Sequence, residues 1–359
     1  MSFDEAISFE NLLEAGEKCC KGCRWKPSIQ NFEMHMLSRT GKVWYFQVTD
    51  KYKPMKTNDF ILHERGKERH IKAHHVNDRQ VYKSYCMHEL VPLTQNYIME
   101  NNSASQEGKG TDHAIKLFRK GLAHAYKVCK GNHFYVVTYD FHDYFNSIDQ
   151  DLTIAMLEFT DKRSEKFFKD YAALFEHGFG IGGEPSQRIA ITYPSSIDRM
   201  ISCNPKVIAS GRYMDDGWAI VKTKQESKEL IKDIKKQADK LKLTLNQKHT
   251  TITDMSKHST VFLKKRTKVL SSGKIVMQLV RKNIRDKLRT IKIQKNDLDN
   301  GKMPFDSILQ SFVTWCSYAG KYNSNKQMLR VGNMFAETFN YPWDDVLYII
   351  NKGEVKNER

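Results

Sequence analysis

Two carboxylates stand side by side in the stretch GRYMDDGWAI, Gly211 to Ile220, and a third, Asp140, closes the apolar stretch FYVVTYDF 75 residues earlier. Adjacent aspartates repel, and if all three meet at one edge their pKa values rise unless a counter-charge intervenes. Hard divalent cations answer that need. Mg²⁺ takes carboxylate oxygens together with substrate phosphates, and two such ions about 4 Å apart can clamp the attacking and leaving oxygens of an in-line phosphoryl transfer. The competing reading is a solvated Asp-Asp turn, since aspartate is a common turn former. What separates the two is whether the chain can bring position 140 to position 215.

The elements around these residues favour convergence. FYVVTYDF reads as a buried strand ending at Asp140, with a helix over DQDLTIAMLEFTD behind it. GRY and WAIVKT read as the arms of a hairpin with Met214, Asp215 and Asp216 at its turn, and QESKELIKDIKKQADKLKL follows as an amphipathic helix. A small antiparallel sheet with helices on one face joins both strand ends. Upstream, AISFENLLEAGEKCC has helical spacing, KVWYFQV alternates like a strand, and HAIKLFRKGLAHAYK is helical again after the loop ENNSASQEGKGTD. GIGGEPSQRIAITYPSSIDRMI reads as a glycine turn running into a helix with Ser186 near its start, where it could cap. VFLKKRTKVL and KIVMQLV are short strands, and from Arg281 onward the pattern is helical.

Charge says what such a site would meet. The 359 residues hold 58 Lys and Arg against 42 Asp and Glu, a formal net charge of +16, which suits a polyanionic partner, most simply nucleic acid. Between Lys264 and Asp299 there are 12 Lys and Arg against three Asp and Glu. Arg281, Arg285, Arg289 and Lys292 fall on one helical face and Ile284, Leu288 and Ile291 on another, the pattern of a helix tracking a phosphate backbone or of a solvated face. Seven scattered cysteines, with Cys19, Cys20 and Cys23 the only cluster, indicate reduced thiols and a cytoplasmic setting. No apolar run approaches the roughly 20 residues a membrane helix needs, so no membrane partner is expected.

Taken whole, GRYMDDGWAI resembles the YxDD box of reverse transcriptases, and YDFHDYFNSID resembles their first catalytic motif, an aspartate followed five residues later by an aromatic. IGGEPSQ resembles the glycine, three residues, serine motif at their finger-palm junction. Ile181 before the glycine and Gln187 after the serine are similar to diversity-generating retroelement enzymes and their relatives. ERGKERHIKAHHVNDRQVYKSYCMHELVPL resembles bacterial fingers, LKLTLNQKHTTI the fourth motif and FLKKR, Phe262 to Arg266, the primer-grip hairpin.

The resemblance implies an α+β right-hand polymerase with fingers, an RRM-like antiparallel palm and a small helical thumb. Residues 1–60 would be an N-terminal extension, 61–135 with 160–205 the fingers, 136–159 and 206–270 the palm, and 271–359 the thumb. It implies RNA-directed DNA polymerase activity on a primer, with two Mg²⁺ ions, Mn²⁺ a possible substitute, held by Asp140, Asp215 and Asp216. Phe145 would be the steric gate that excludes a ribose 2′-OH. Arg69 and Lys67 would hold the triphosphate, and Gly182, Ser186, Gln187 and Tyr213 would line the nucleotide site. In the fourth motif His249 takes the place of the usual lysine and Lys248 precedes it, so either could donate a proton to pyrophosphate. The implied partners are dNTPs, nascent DNA and a template RNA, with an accessory protein or a second copy possible. The biological setting would be a dedicated non-coding RNA in bacterial anti-phage defence, or sequence diversification. An RNA-synthesising polymerase and a catalytically idle RNA-binding scaffold stay open as rivals.

Overall fold

The computed structural model describes residues 2–64, 67–131 and 133–352. The first strands are β1 (Asn58–Glu64) and β2 (Lys67–Ala73), an antiparallel hairpin. Then come β3 (Tyr135–Tyr139), β4 (Val207–Tyr213), β5 (Asp216–Val221) and β6 (Thr251–Asp254), which form one sheet in the order β4-β5-β3-β6 with every pair antiparallel. Helices including Gln150–Met156, Glu184–Thr192 and Ser195–Ser202 lie between β3 and β4, and the helix Lys224–Lys240 lies between β5 and β6. This β-α-β-β-α-β order is the split, RRM-like topology. Three further strands, β7 (Thr260–Phe262), β8 (Lys265–Val269) and β9 (Ile275–Leu279), make a second antiparallel sheet, and four helices from Arg281 to Lys352 end the chain. The molecule is therefore α+β, with helices and a hairpin before an antiparallel palm-like sheet and a helical region after it. No described helix is long and apolar enough to cross a membrane.

The sheet order follows from two apolar faces. The sequence YVVTY of β3 is rich in β-branched and aromatic residues that fit a pleated surface. Alternate side chains point opposite ways. Val137 and Tyr139 join Ala219 and Val221 in a core with Ile189, Ile197, Leu230 and Ile234 of the covering helices. Val136 joins Trp218 and Ile220 in a second core with Phe118 and Leu122 of the helix Thr111–Val128 and with Phe312 of the C-terminal helices. Trp218 is among the largest fully buried side chains, and truncating such a residue costs about 3–5 kcal/mol. Its ring lies so close to Gly121 and Gly211 that a Cβ would stand 3.0 and 2.8 Å from it. The glycine before Arg212 is thus a packing requirement.

Two sequence readings are overturned. KVWYFQV is not a strand but the end of a helix, Met36–Val48. The buried positions Met36, Thr40, Val43 and Gln47 recur every three or four residues, whereas Trp44, Tyr45, Phe46 and Val48 are exposed. Docking one helical face against the Phe9–Cys20 and Val76–Tyr85 helices decides the outcome over the β-forming character of the run. VFLKKRTKVL is not one strand but the β7-β8 hairpin, turning at Leu263 and Lys264, whose φ values are 45° and 63°, and the helix over DQDLTIAMLEFTD stops at Met156.

The C-terminal helices bury a charge that periodicity did not reveal. Lys287 sits on the inward face of the helix Arg281–Asp299 with 7% exposure, its ammonium 5.3 Å from the Phe312 ring and 6.0 Å from the Trp315 ring. Burial pushes its pKa down to about 8, and the two rings offset only part of the lost hydration. A folded pKa below the unfolded value, about 10.4, means that the unfolded chain holds the extra proton between those limits. Stability then rises as pH climbs from about 8 toward 10. Lys287→Met is accordingly expected to stabilise the protein at pH 7 by about 1–3 kcal/mol in urea titration, with the advantage shrinking by pH 10. An equal difference at both pH values would show that the ammonium is not desolvated.

Candidate active site

The turn between β4 and β5 holds two residues, Met214 and Asp215, because Tyr213 pairs with Asp216. Met214 has a φ of 55°, while Asp215 is not among the positive-φ residues, the sign pattern of a II′ hairpin turn. Glycine is the usual occupant, and a side chain in the left-handed region costs roughly 1–2 kcal/mol. Arg212 supplies the restraint. Its Nη1 donates to the Met214 carbonyl at 2.7 Å, its Nη2 to the Ile191 carbonyl at 2.6 Å, and its Nε and Nη2 to the Asp198 carboxylate at 2.7 to 3.0 Å. Arg212 and Asp198 are 2% and 4% exposed. Burial alone would lower the guanidinium pKa, but the charge and hydrogen bonds of Asp198 outweigh it and hold Arg212 well above its ordinary value. The segment Asn101 to Ser103 straps the outer edge of β4: Arg212 N donates to Asn101 O, Ser103 N donates to Arg212 O, and Asn102 Nδ2 donates to Ile191 O.

Asp140 enters from β3. Tyr139 pairs with Gly217 in the last rung of the β3-β5 ladder, so Asp140 follows at the end of the sheet where β5 begins with Asp216. A Cβ on Gly217 would lie 2.0 Å from the Tyr139 ring, so only glycine lets that ring pack over the strand at this end of the sheet. Asn246 then pins Asp140 twice, donating from its backbone N to the Asp140 carbonyl at 2.8 Å and from Nδ2 to the carboxylate at 3.3 Å. Lys248 and His249 are exposed on the turn that Asn246 begins: Lys248 N donates to Asn246 Oδ1 and His249 N to Asn246 O. Both candidates for proton donation therefore stand on one loop beside Asp140, and neither is singled out. Phe145 follows on the short helix Tyr144–Ser147, half-buried against the core, its carbonyl accepting from Phe179 N at 2.9 Å.

The glycine motif forms a second group joined to the hairpin of β1 and β2. Ile71 and Ile181 form a parallel bridge, and Lys72 N donates to Ile181 O. Gly182 has a φ of 132°, and a Cβ there would stand 2.7 Å from the Lys72 carbonyl, which explains the glycine. Ser186 does not cap the helix: Gly183 is the N-cap, and Ser186 is buried, sharing a hydrogen bond with the Tyr171 hydroxyl at 2.7 Å. Gln187 is exposed and accepts from Ser105 Oγ at 3.4 Å. Gly182, Gly183 and Gln187 border a groove of about 1190 Å³ whose wall also carries Lys18, Arg79, Lys83, Arg188 and His74, with Glu107 and Glu184 among them. His74 is buried, both ring nitrogens lack a hydrogen-bond partner, and burial lowers its pKa. Arg69 lies on β2 opposite Leu62, half-exposed, whereas the Lys67 side chain is outside the described residues. Tyr213 ends β4, half-exposed against the second core.

Backbone register thus brings Asp140, Asp215 and Asp216 to one edge with Lys248 and His249, while Gly182, Ser186 and Gln187 gather with the β2 hairpin. Among the described residues no three His, Cys, Asp or Glu side chains stand together as a metal-holding group. The carboxylates have the right chemistry for a hard cation, but they are not gathered into a finished cage. Arg212, Asp198, Asn246 and the 101–103 strap were not singled out from the sequence. The one available signal was Arg212 itself, a charge inside an otherwise apolar strand.

The fold and site define an α+β chain with an RRM-like antiparallel sheet whose edge carries three aspartates. No protein-family model and no curated protein matches it. Among solved structures it is similar to apo telomerase from Candida tropicalis truncated from its C-terminal domain, at 11% identity and a TM-score of 0.45. The match covers 67% of this chain and 60% of that one.

Because Arg212 and Asp198 are fully desolvated, removing one leaves an uncompensated buried charge. Asp198→Asn or Arg212→Met is expected to cost about 3–5 kcal/mol in urea unfolding, with much of the loss recovered in Arg212→Met/Asp198→Leu. Single variants as stable as the parent would refute the structural role.

Proposed function

We propose that this chain is an RNA-directed DNA polymerase that adds deoxynucleotides to a primer 3′-OH. The observation that supports the reading is that the β3-β5 ladder ends at Tyr139 and Gly217, so Asp140 leaves β3 at the same end of the sheet as the Asp215–Asp216 turn. Three acidic side chains beside a chain of net charge +16 suit a site that must handle phosphates and the ions accompanying them. A scaffold that only held RNA would gain nothing from carboxylates that repel its ligand.

Two Mg²⁺ ions, with Mn²⁺ as substitute, belong to this proposal as cofactors. When bound they would neutralise triphosphate charge and lower the pKa of the attacking hydroxyl. The chain's own groups supply the rest. Lys248 or His249, on the exposed turn beside Asp140, protonates departing pyrophosphate. Arg69, whose guanidinium can fork onto two phosphate oxygens, steadies the triphosphate. The Phe145 ring lies under the sugar and selects against a 2′-OH. For the template we propose a dedicated RNA of the bacterial host, a reading supported by the sequence resemblance.

Incorporation of labelled dNTPs on a primed RNA template tests the proposal. Asp215→Ala should lose about a thousandfold or more of the rate, and chelation should abolish it. Phe145→Ala should admit ribonucleotides that the parent excludes. Equal signals from parent and Asp215→Ala, or none from either, would leave the RNA-binding scaffold as the better account.

A further inference from the structure

Exposed apolar side chains are not spread evenly over the chain. Of the 17 large hydrophobic residues that stand exposed among the described residues, 11 fall between Trp25 and Leu62. Single exposed hydrophobic residues are ordinary, but a cluster marks a contact surface. The helix Met36–Val48 shows how the cluster is built. Met36, Thr40, Val43 and Gln47 face the interior. With about 3.6 residues per turn, Leu37, Gly41, Trp44, Tyr45 and Val48 line up as a second stripe on a different face. Leu37, Trp44, Tyr45 and Val48 are 40% to 65% exposed. A helix that served only this fold would present polar residues there.

The two flanks of this stripe differ in sign. The helix Phe9–Cys20 runs antiparallel beside it: a Cβ on Gly16 would lie 3.4 Å from Met36 Sδ, while Phe9 lies against Gly41 and its ring centroid is 6.4 Å from that of Trp44. That helix carries Glu10, Glu14 and Glu17, all exposed, along one flank. Between Asp4 and Lys18 there are five acidic residues against one lysine, in a chain of net charge +16. Lys42 projects from the other flank. Glu14 pairs with Lys18, whereas Glu10 and Lys42 have no ion-pair partner among the described residues. Carboxylates beside the stripe repel anionic headgroups and phosphate backbones alike, which disfavours a membrane or a nucleic acid as its occupant. A second copy of the same helix fits better. When two copies pair side by side with the two-fold axis along them, each flank meets the opposite flank of its partner, as e and g positions do in a parallel coiled coil. Glu10, at the level of Trp44, then faces Lys42 of the partner subunit. An antiparallel pair would set acid against acid.

We infer that the chain forms a two-fold dimer by parallel pairing of its Met36–Val48 helices, with Leu37, Trp44, Tyr45 and Val48 covered between the copies and Glu10 meeting Lys42 across each flank. Gly41, in the middle of the stripe, lets the two backbones approach closely. One helix with its flanks is a small interface, so the dimer is a weak one that forms at micromolar concentration. None of the residues assigned to catalysis takes part, so the inference stands or falls apart from the polymerase reading.

Sedimentation of the full chain, freed of nucleic acid and followed into the high micromolar range, tests this. The parent should pass from monomer to dimer as concentration rises. Trp44→Ser/Tyr45→Ser should raise the dissociation constant about thirtyfold or more. Leu37→Glu, at the most exposed position of the stripe, should do the same, and in both variants the urea midpoint should stay close to that of the parent, since the altered side chains face solvent in the monomer. Glu10→Lys and Lys42→Glu should each weaken the dimer about fivefold, and Glu10→Lys/Lys42→Glu should recover it, because the exchanged charges still meet opposite signs. Vesicles of anionic phospholipid should not bind the parent. A parent that stays monomeric throughout, a dimer untouched by the stripe variants, a charge exchange that recovers nothing, or vesicle binding that Leu37→Glu abolishes would each overturn the inference.

Discussion

Everything at the acidic edge rests on one buried ion pair. Arg212 donates to the Asp198 carboxylate, to the Ile191 carbonyl and to the Met214 carbonyl, and so ties the helix Ser195–Ser202, the helix Glu184–Thr192 and the strained turn to a single guanidinium. Arginine suits the position because its fixed fork can satisfy three acceptors at once, which a lysine cannot do. A buried pair of this kind contributes little net stability relative to apolar packing. Its value here is positional: it holds Met214 in a conformation a side chain disfavours, and with it the backbone that carries Asp215.

The other constraint is how tightly the sheet is filled. Trp218 occupies the space that Gly121 and Gly211 leave open, and Tyr139 lies over Gly217. With large rings packed directly onto backbone, a slip of one residue between β3 and β5 would move Trp218 to the opposite face of the sheet. The register that ends with Tyr139 on Gly217, and so leaves Asp140 at the same end of the sheet as Asp216, is therefore specified by packing. Asn246 finishes the arrangement by bonding Asp140 through both backbone and side chain, which couples the loop of Lys248 and His249 to the end of β3.

The basic surface divides in two. One part lines the groove beside the glycine turn, where Lys18, Arg79, Lys83 and Arg188 share the wall with Glu107 and Glu184 and Lys83 pairs with Glu184. The other crosses the outer face of the second sheet. A net charge of +16 alone does not reveal this partition, which arises because β8 alternates its basic residues outward while Lys265 turns inward between the rings of Tyr318 and Tyr322.

Much of the molecule was legible in its residues. β-branched runs, helical spacing and the Tyr-Met-Asp-Asp turn marked β3, β4 and β5, the helix Lys224–Lys240 and the C-terminal helices, because each is an element whose own period declares its buried face, whereas β6 gave no such signal. The α+β class followed from their order. Legibility failed where local preference and tertiary demand differ: Val43 to Val48 favours a strand by composition yet folds as a helix, since three or four residues separate its buried positions. Ser186 looked like a cap and became a core hydrogen bond to Tyr171. The sequence by itself determined which side chains are acidic, basic or small, and therefore what chemistry is possible. Only the tertiary structure decided that Arg212 and Asp198, 14 residues apart, would share a dry interior under the turn. Burial is a property of the assembled neighbours and not of the residue, so no local pattern announces it.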